Sequence, residues 1–110
     1  GLLRIPCAVT RWTRLPVIGT SLVALPRRMR RHLVRAAARR PFVSLELHAV
    51  DLMDVAGDGL PPALARQRDL TIPWEEKRAR LAEAIEALSE GRAPVTLAAA
   101  TDRLRGCIRA

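Results

Sequence analysis

The chain has 110 residues, 49% of them hydrophobic and 27% charged, with a formal net charge of +8. That length allows one small domain at most, and that hydrophobicity argues against a chain disordered throughout. Aromatic residues make up only 3%. So few large anchors suggest that part of the core these segments need lies elsewhere.

The charge is unevenly placed. No acid precedes Glu46, and all ten bases up to Arg40 are arginines. The remainder carries nine bases and all eleven acids, a balance of −2. An arginine-rich first half is the electrostatic footprint of a nucleic-acid or anionic-membrane surface. It equally fits a solvated helix face in a protein from a high-GC genome, and no interleaved aromatics or recognised fold motif favour nucleic acid. Cys7 and Cys107 stand at opposite ends with no CxxC spacing. That disfavours a zinc site and leaves two free thiols as the expectation. No apolar run reaches the roughly 20 residues needed to span a bilayer. Arg4, Arg11 and Arg14 break up any secretory signal. Pro6, Pro16 and Pro26 interrupt the amphipathic helix that a transit peptide would need.

In chain order, Leu2–Val9 reads as a short edge strand ended early by Pro6. Thr10–Thr20 holds Pro16 and Gly19 and reads as a loop, followed by an apolar connector over Ser21–Leu25. A helix is predicted from Pro26, with Met29, Leu33, Ala36 and Ala37 inward at helical spacing. Its outer face carries Arg27, Arg28, Arg30, Arg31 and Arg35, the candidate anion-binding residues, and Pro41 stops it.

Phe42–Val50 is the clearest predicted strand. Alternation sends Val43, Leu45, Leu47 and Ala49 one way and Phe42, Ser44, Glu46 and His48 the other. Asp51–Asp69, with two glycines and two prolines, reads as a loop with a helical turn from Pro62. A strong helix follows from about Thr71, with Pro73, Glu75 and Glu76 suiting its first turn. Trp74, Leu81, Ile85 and Leu88 form its apolar stripe, Glu76 and Arg80 an i,i+4 pair, and Gly91 its terminator. Val95–Leu97 reads as a brief strand and Ala98–Arg105 as a last short helix. The alternation predicts an α/β chain of about three short strands and three helices, with parallel pairing.

The chemistry-bearing stretch is Leu45-Glu46-Leu47-His48 running into Asp51 and Asp54. A histidine at the carboxyl end of a parallel strand sits where α/β folds place their sites. An adjacent carboxylate orients the ring and favours its proton-donating form. His48 and Asp51 are therefore the candidate catalytic residues.

Those residues also resemble the last motif of the polysaccharide deacetylases, the NodB-homology carbohydrate esterases, whose Leu-x-Leu-x-His strand delivers a catalytic histidine. Arg14–Leu22 (RLPVIGTSL) is similar to an Arg-Leu-Pro-Phe-x-Gly-Thr-Ser-Leu loop of a bacterial branch of that family. Glu46–Asp54 (ELHAVDLMD) is similar to its Glu-Leu-His-x-Ile-Asp-Leu-Leu-Asp run. Pro94–Leu97 and the alanines after it resemble its closing Val-Thr-Leu segment. The resemblance implies the C-terminal part of a distorted (β/α) barrel, with residues 1–110 one partial domain. It implies hydrolysis of the N-acetyl group of a sugar, carbohydrate as partner, and a bacterial, cytoplasmic setting. His48 would be the acid toward the leaving amine, and Leu47 would line the pocket for the acetyl methyl. The full-length family uses a divalent metal, usually zinc. Its Thr-Phe-Asp-Asp and His-x-x-x-His metal motifs are absent here, so the chain alone is expected to hold no metal and to lack activity. The competing expectation is a small basic binding protein using the arginine helix.

Overall fold

The computed structural model describes residues 4–109. Its architecture is helical: α1 (Gly19–Ala24), α2 (Arg27–Ala38), α3 (Trp74–Ser89) and α4 (Leu97–Arg109), with three short 3-10 turns between α2 and α3. No sheet and no barrel forms among the described residues. β pairing is limited to two isolated bridges, Val9 with Pro16 and Ile18 with Glu46. The predicted α/β partial barrel is thereby corrected, and each of its three strands fails for a physical reason.

In the first, Leu2 and Leu3 lie outside the described residues. Arg4–Ala8 is extended but unladdered, because Pro6 and Pro16 have no amide to donate. The 9–16 pairing is a tight hairpin instead. Thr10 donates its amide to Leu15 O (2.9 Å) and Val17 to Ala8 O (2.7 Å). The Thr10 hydroxyl accepts the Leu15 amide, and Arg14 takes a left-handed φ of 50° to close the turn. In the second, Phe42–Leu47 is extended but has one neighbour for one residue: Gly19 donates to Glu46 O at 2.8 Å. The Asp51 carboxylate then accepts the His48 amide (2.8 Å), bending the chain into the 3-10 turn Ala49–Leu52. A local side-chain bond displaces the ladder. In the third, the Thr96 hydroxyl accepts the Ala99 amide at 3.2 Å, so Val95–Leu97 runs into the N-cap of α4 rather than a strand.

The predicted connector over 21–25 is helical. Leu22 donates to Ile18 O (3.0 Å), and Pro26, which has no amide, ends α1 and starts α2. The core is aliphatic: Val17, Leu22 and Val23 from the α1 region, Leu33, Val34 and Ala37 from α2, Leu81, Ala84 and Leu88 from α3. Val43 and Leu45 pack against it, as the alternation predicts. Met29 does not: it is exposed, and Arg30 takes the inward position one residue later. On α3 the buried stripe is Lys77, Leu81, Ala84 and Leu88, so Ile85 is displaced outward.

Arginines serve as staples. Arg80 donates to Val23 O at the end of α1, and Arg92 to Ala38 O at the end of α2. Each satisfies a carbonyl that its helix leaves without an intrahelical donor. These contacts, with Arg30 beside Glu83, show α2 and α3 packing side by side in the same chain direction. Gly91 ends α3 with φ 67°, a conformation that glycine adopts freely. The radius of gyration is 15.8 Å, against the roughly 13 Å expected of a compact chain this long.

Candidate functional site

The structure brings together the two segments around residues 14–22 and 46–54. The N-terminus of α1 meets the 3-10 turn at 49–52, and Asp51 lies between them, fully buried. Its Oδ1 accepts the Thr20 hydroxyl (2.7 Å) and its Oδ2 the His48 amide (2.8 Å). A carboxylate taken wholly from water needs such donors, and here they come from both segments. Gly19 permits this approach: a Cβ there would lie 2.1 Å from Asp51 Oδ2 and 2.8 Å from a Leu47 methyl. Thr20 and Gly19 were not among the residues singled out from sequence. Their place in the Gly-Thr-Ser-Leu loop was the available signal.

His48 sits at the mouth of this junction, about half-exposed. Its Nε2 is 3.4 Å from Glu46 Oε1, while its Nδ1 is 3.8 Å from Asp51 Oδ2, too long for a hydrogen bond. Asp51 thus anchors the histidine backbone, and Glu46 is the carboxylate closest to the ring. The alternation had already placed Glu46 and His48 on one face. The Cys7 thiol donates to Glu46 Oε2 at 2.8 Å, and that hydrogen bond raises the thiol pKa above its usual value. Both cysteines are free. Leu47 is 42% exposed and packs over Gly19 at the same mouth.

Beneath the 3-10 turn lies Lys77, with no exposed surface. Its ammonium donates to Val50 O (2.9 Å) and Met53 O (2.6 Å), fixing the turn that carries Asp51. One step further, Asp54 accepts the Gly57 amide (2.5 Å) and the Trp74 amide (2.8 Å), tying the loop to the first turn of α3. These backbone donors hold the Asp54 carboxyl below its ordinary value of 3.8. A depressed folded-state pKa stabilises above the unfolded value, and that stability is lost as pH falls through the folded one. Thermal melts below pH 3.8 should therefore show a falling Tm that the Asp54→Asn variant shows less steeply. An equally steep acid limb in the variant would refute the assignment.

The candidate anion-binding arginines fall in different surroundings. Of the candidate anion-binding residues, Arg30 is buried, donating to Leu25 O and Glu83 at 3.3 Å each. Arg27 lies 3.9 Å from the same Glu83. Arg31 and Arg35 line a groove of about 760 Å³ whose other wall carries Glu86 and Glu90, so its charge is mixed. Arg28 remains on the exposed face.

Among the described residues, no three histidines, cysteines or acids converge to hold a metal ion. Asp51 is sealed away and its oxygens accept the Thr20 hydroxyl and the His48 amide, so it is not free to hold a metal ion. No described helix is long and apolar enough to cross a membrane. Comparison with protein-family models, curated proteins and solved structures yields no match.

Proposed function

We propose that this chain is the C-terminal portion of a hydrolase that removes acetyl groups from N-acetylated sugars, and that it contributes His48 as the acid toward the leaving amine. One observation carries this reading. The two segments that resemble the deacetylase family, 31 residues apart at Thr20 and Asp51, are joined by a part-buried hydrogen bond. That junction presents His48 to solvent beside a carboxylate, with Leu47 at its rim.

The chain's own chemistry is proton delivery. When the amide C–N bond breaks, the nitrogen must gain a proton, and His48 supplies it from a ring aligned by Glu46. Asp51 holds the backbone through the His48 amide and the Thr20 hydroxyl. Activation of the attacking water falls to residues beyond this site.

The test is the reading frame upstream of Gly1. An open frame carrying Asp-Asp and His-x-x-x-His motifs, whose full product releases acetate from N-acetylglucosamine oligomers, is the expected result. A stop codon immediately upstream, or a full product that releases no acetate, would sink the proposal. The exposed arginines of α2 would then be the feature to explain.

A further inference from the structure

Arg11, Trp12, Thr13 and Arg14 form the tip of the hairpin over 9–16, and all four are exposed. Trp12 is 88% exposed, the most exposed of the large hydrophobic residues described. An indole left in water forgoes one of the largest burial gains any side chain can make. The Arg11 guanidinium lies 5.6 Å over its ring, so ring and charge are presented together. Arg14 holds a left-handed φ of 50°, where glycine or asparagine would sit with less strain. The turn therefore carries a second charge at a position that a smaller residue would fill more easily.

The tip is continuous with a basic row on α2. Arg28 and Arg35 stand at i and i+7 of that helix, and Arg39, its C-cap, continues the row at i+11. All three are exposed. The next residue, Arg40, donates to Val9 O and so ties the end of the row to the hairpin. The acids that face α2, Glu83, Glu86 and Glu90, stand on its α3 side. Glu46 engages Cys7 and His48 at the base of the hairpin, away from its tip. No acid precedes Glu46 in the chain to dilute this surface.

Such a surface selects an anion, and its shape selects the kind. A folded acidic protein needs about 800 Å² on each side with several apolar anchors, and the tip offers one indole. Single-stranded nucleic acid needs successive aromatic platforms, and the other two aromatics, Phe42 and Trp74, are half-buried. A lipid surface needs neither. Its charge is continuous, its phosphates accept arginine in any register, and its headgroup layer takes an indole with the apolar body inward and the N–H toward water. We infer that this face docks on an anionic phospholipid bilayer, with Trp12 at headgroup depth and Arg11, Arg14 and the α2 row on lipid phosphates. The attachment is peripheral and reversible, since one indole and a few cations supply it, and salt weakens it. It rests on no part of the His48 reading.

The test uses the 110-residue chain carrying Trp74→Phe, so that fluorescence reports Trp12 alone. Vesicles of phosphatidylcholine with about one third phosphatidylglycerol are expected to shift the emission to the blue, with partitioning at least about tenfold stronger than onto pure phosphatidylcholine. Co-sedimentation of the unsubstituted chain with the same vesicles reads the binding without that substitution. Trp12→Ala and the Arg11→Gln/Arg14→Asn double variant alter only exposed side chains, and asparagine accepts the left-handed turn. Each is expected to lose about tenfold in partitioning at unchanged circular dichroism. No association with the anionic vesicles, equal association with the neutral ones, or full association of either variant would overturn the inference. So would saturable quenching of Trp12 by an oligothymidylate in the absence of any vesicle shift, which would give the surface to nucleic acid instead.

Discussion

Lys77→Ala is expected to destabilise the chain by about 4 kcal/mol, enough to leave a domain of this size largely unfolded at 37 °C. Lys77 occupies the heptad-like position that an aliphatic residue would normally hold on α3, in line with Leu81, Ala84 and Leu88. Its stem fills the core and its ammonium reaches Val50 O and Met53 O. Alanine removes both. The lost stem leaves a cavity costing about 2–5 kcal/mol in comparable large-to-small changes. The lost ammonium leaves Met53 O without its donor, at about 1–3 kcal/mol, whereas Val50 O keeps the Met53 amide at 3.4 Å. Relief of the ammonium's own desolvation offsets part of this. Lys77→Met separates the terms, since it keeps the stem and removes only the charge, and should cost about half as much. Urea melts of the two variants measure the difference. Wild-type stability in Lys77→Ala would show that the side chain does not bridge the turn.

What the sequence disclosed follows from how local its causes are. The bodies of α2 and α3 are legible because their periodicity, Pro26 and Pro73 at their starts and Gly91 at the end of α3 act within a few residues. Register is less so. Moving the buried face of α2 from Met29 to Arg30 requires Glu83 and the Leu25 carbonyl to be waiting there. The strand pattern at 42–50 holds only for Val43 and Leu45, which pack against the core, while Leu47 and Ala49, assigned to the same face, are exposed. Alternation states which face is apolar, however, and supplies no neighbouring strand. Where the one bridging backbone partner among the described residues is Ile18, with Gly19 donating to Glu46 O, no ladder forms. In the site, Glu46 and His48 were visible as one face of an extended segment. Gly19, Thr20 and Lys77 reach it across 24 to 32 positions, and no local propensity encodes that approach.

Under the function proposed here, His48→Ala, made in the full-length protein that this function requires, should lower kcat by about 10²- to 10⁴-fold with KM nearly unchanged, because a proton donor to the leaving amine acts in the transition state and contributes little to ground-state binding. Asp51→Asn should behave differently. Its remaining oxygen can still accept the Thr20 hydroxyl, but its amide group then faces the His48 N–H, donor against donor. That change acts on stability first and on the histidine's position second, so it should lower Tm and reduce kcat by a smaller factor than His48→Ala. Glu46→Gln keeps the contour at the ring and removes the charge. It should leave Tm unchanged, since Glu46 is half-exposed, and lower kcat by less than His48→Ala does. Steady-state acetate release by the three variants separates the roles. If His48→Ala retained full kcat, the junction would be structural only. If Asp51→Asn lost as much kcat as His48→Ala at unchanged Tm, the buried carboxylate would be acting on the reaction itself, and the division between a positioning Asp51 and a proton-donating His48 would fail.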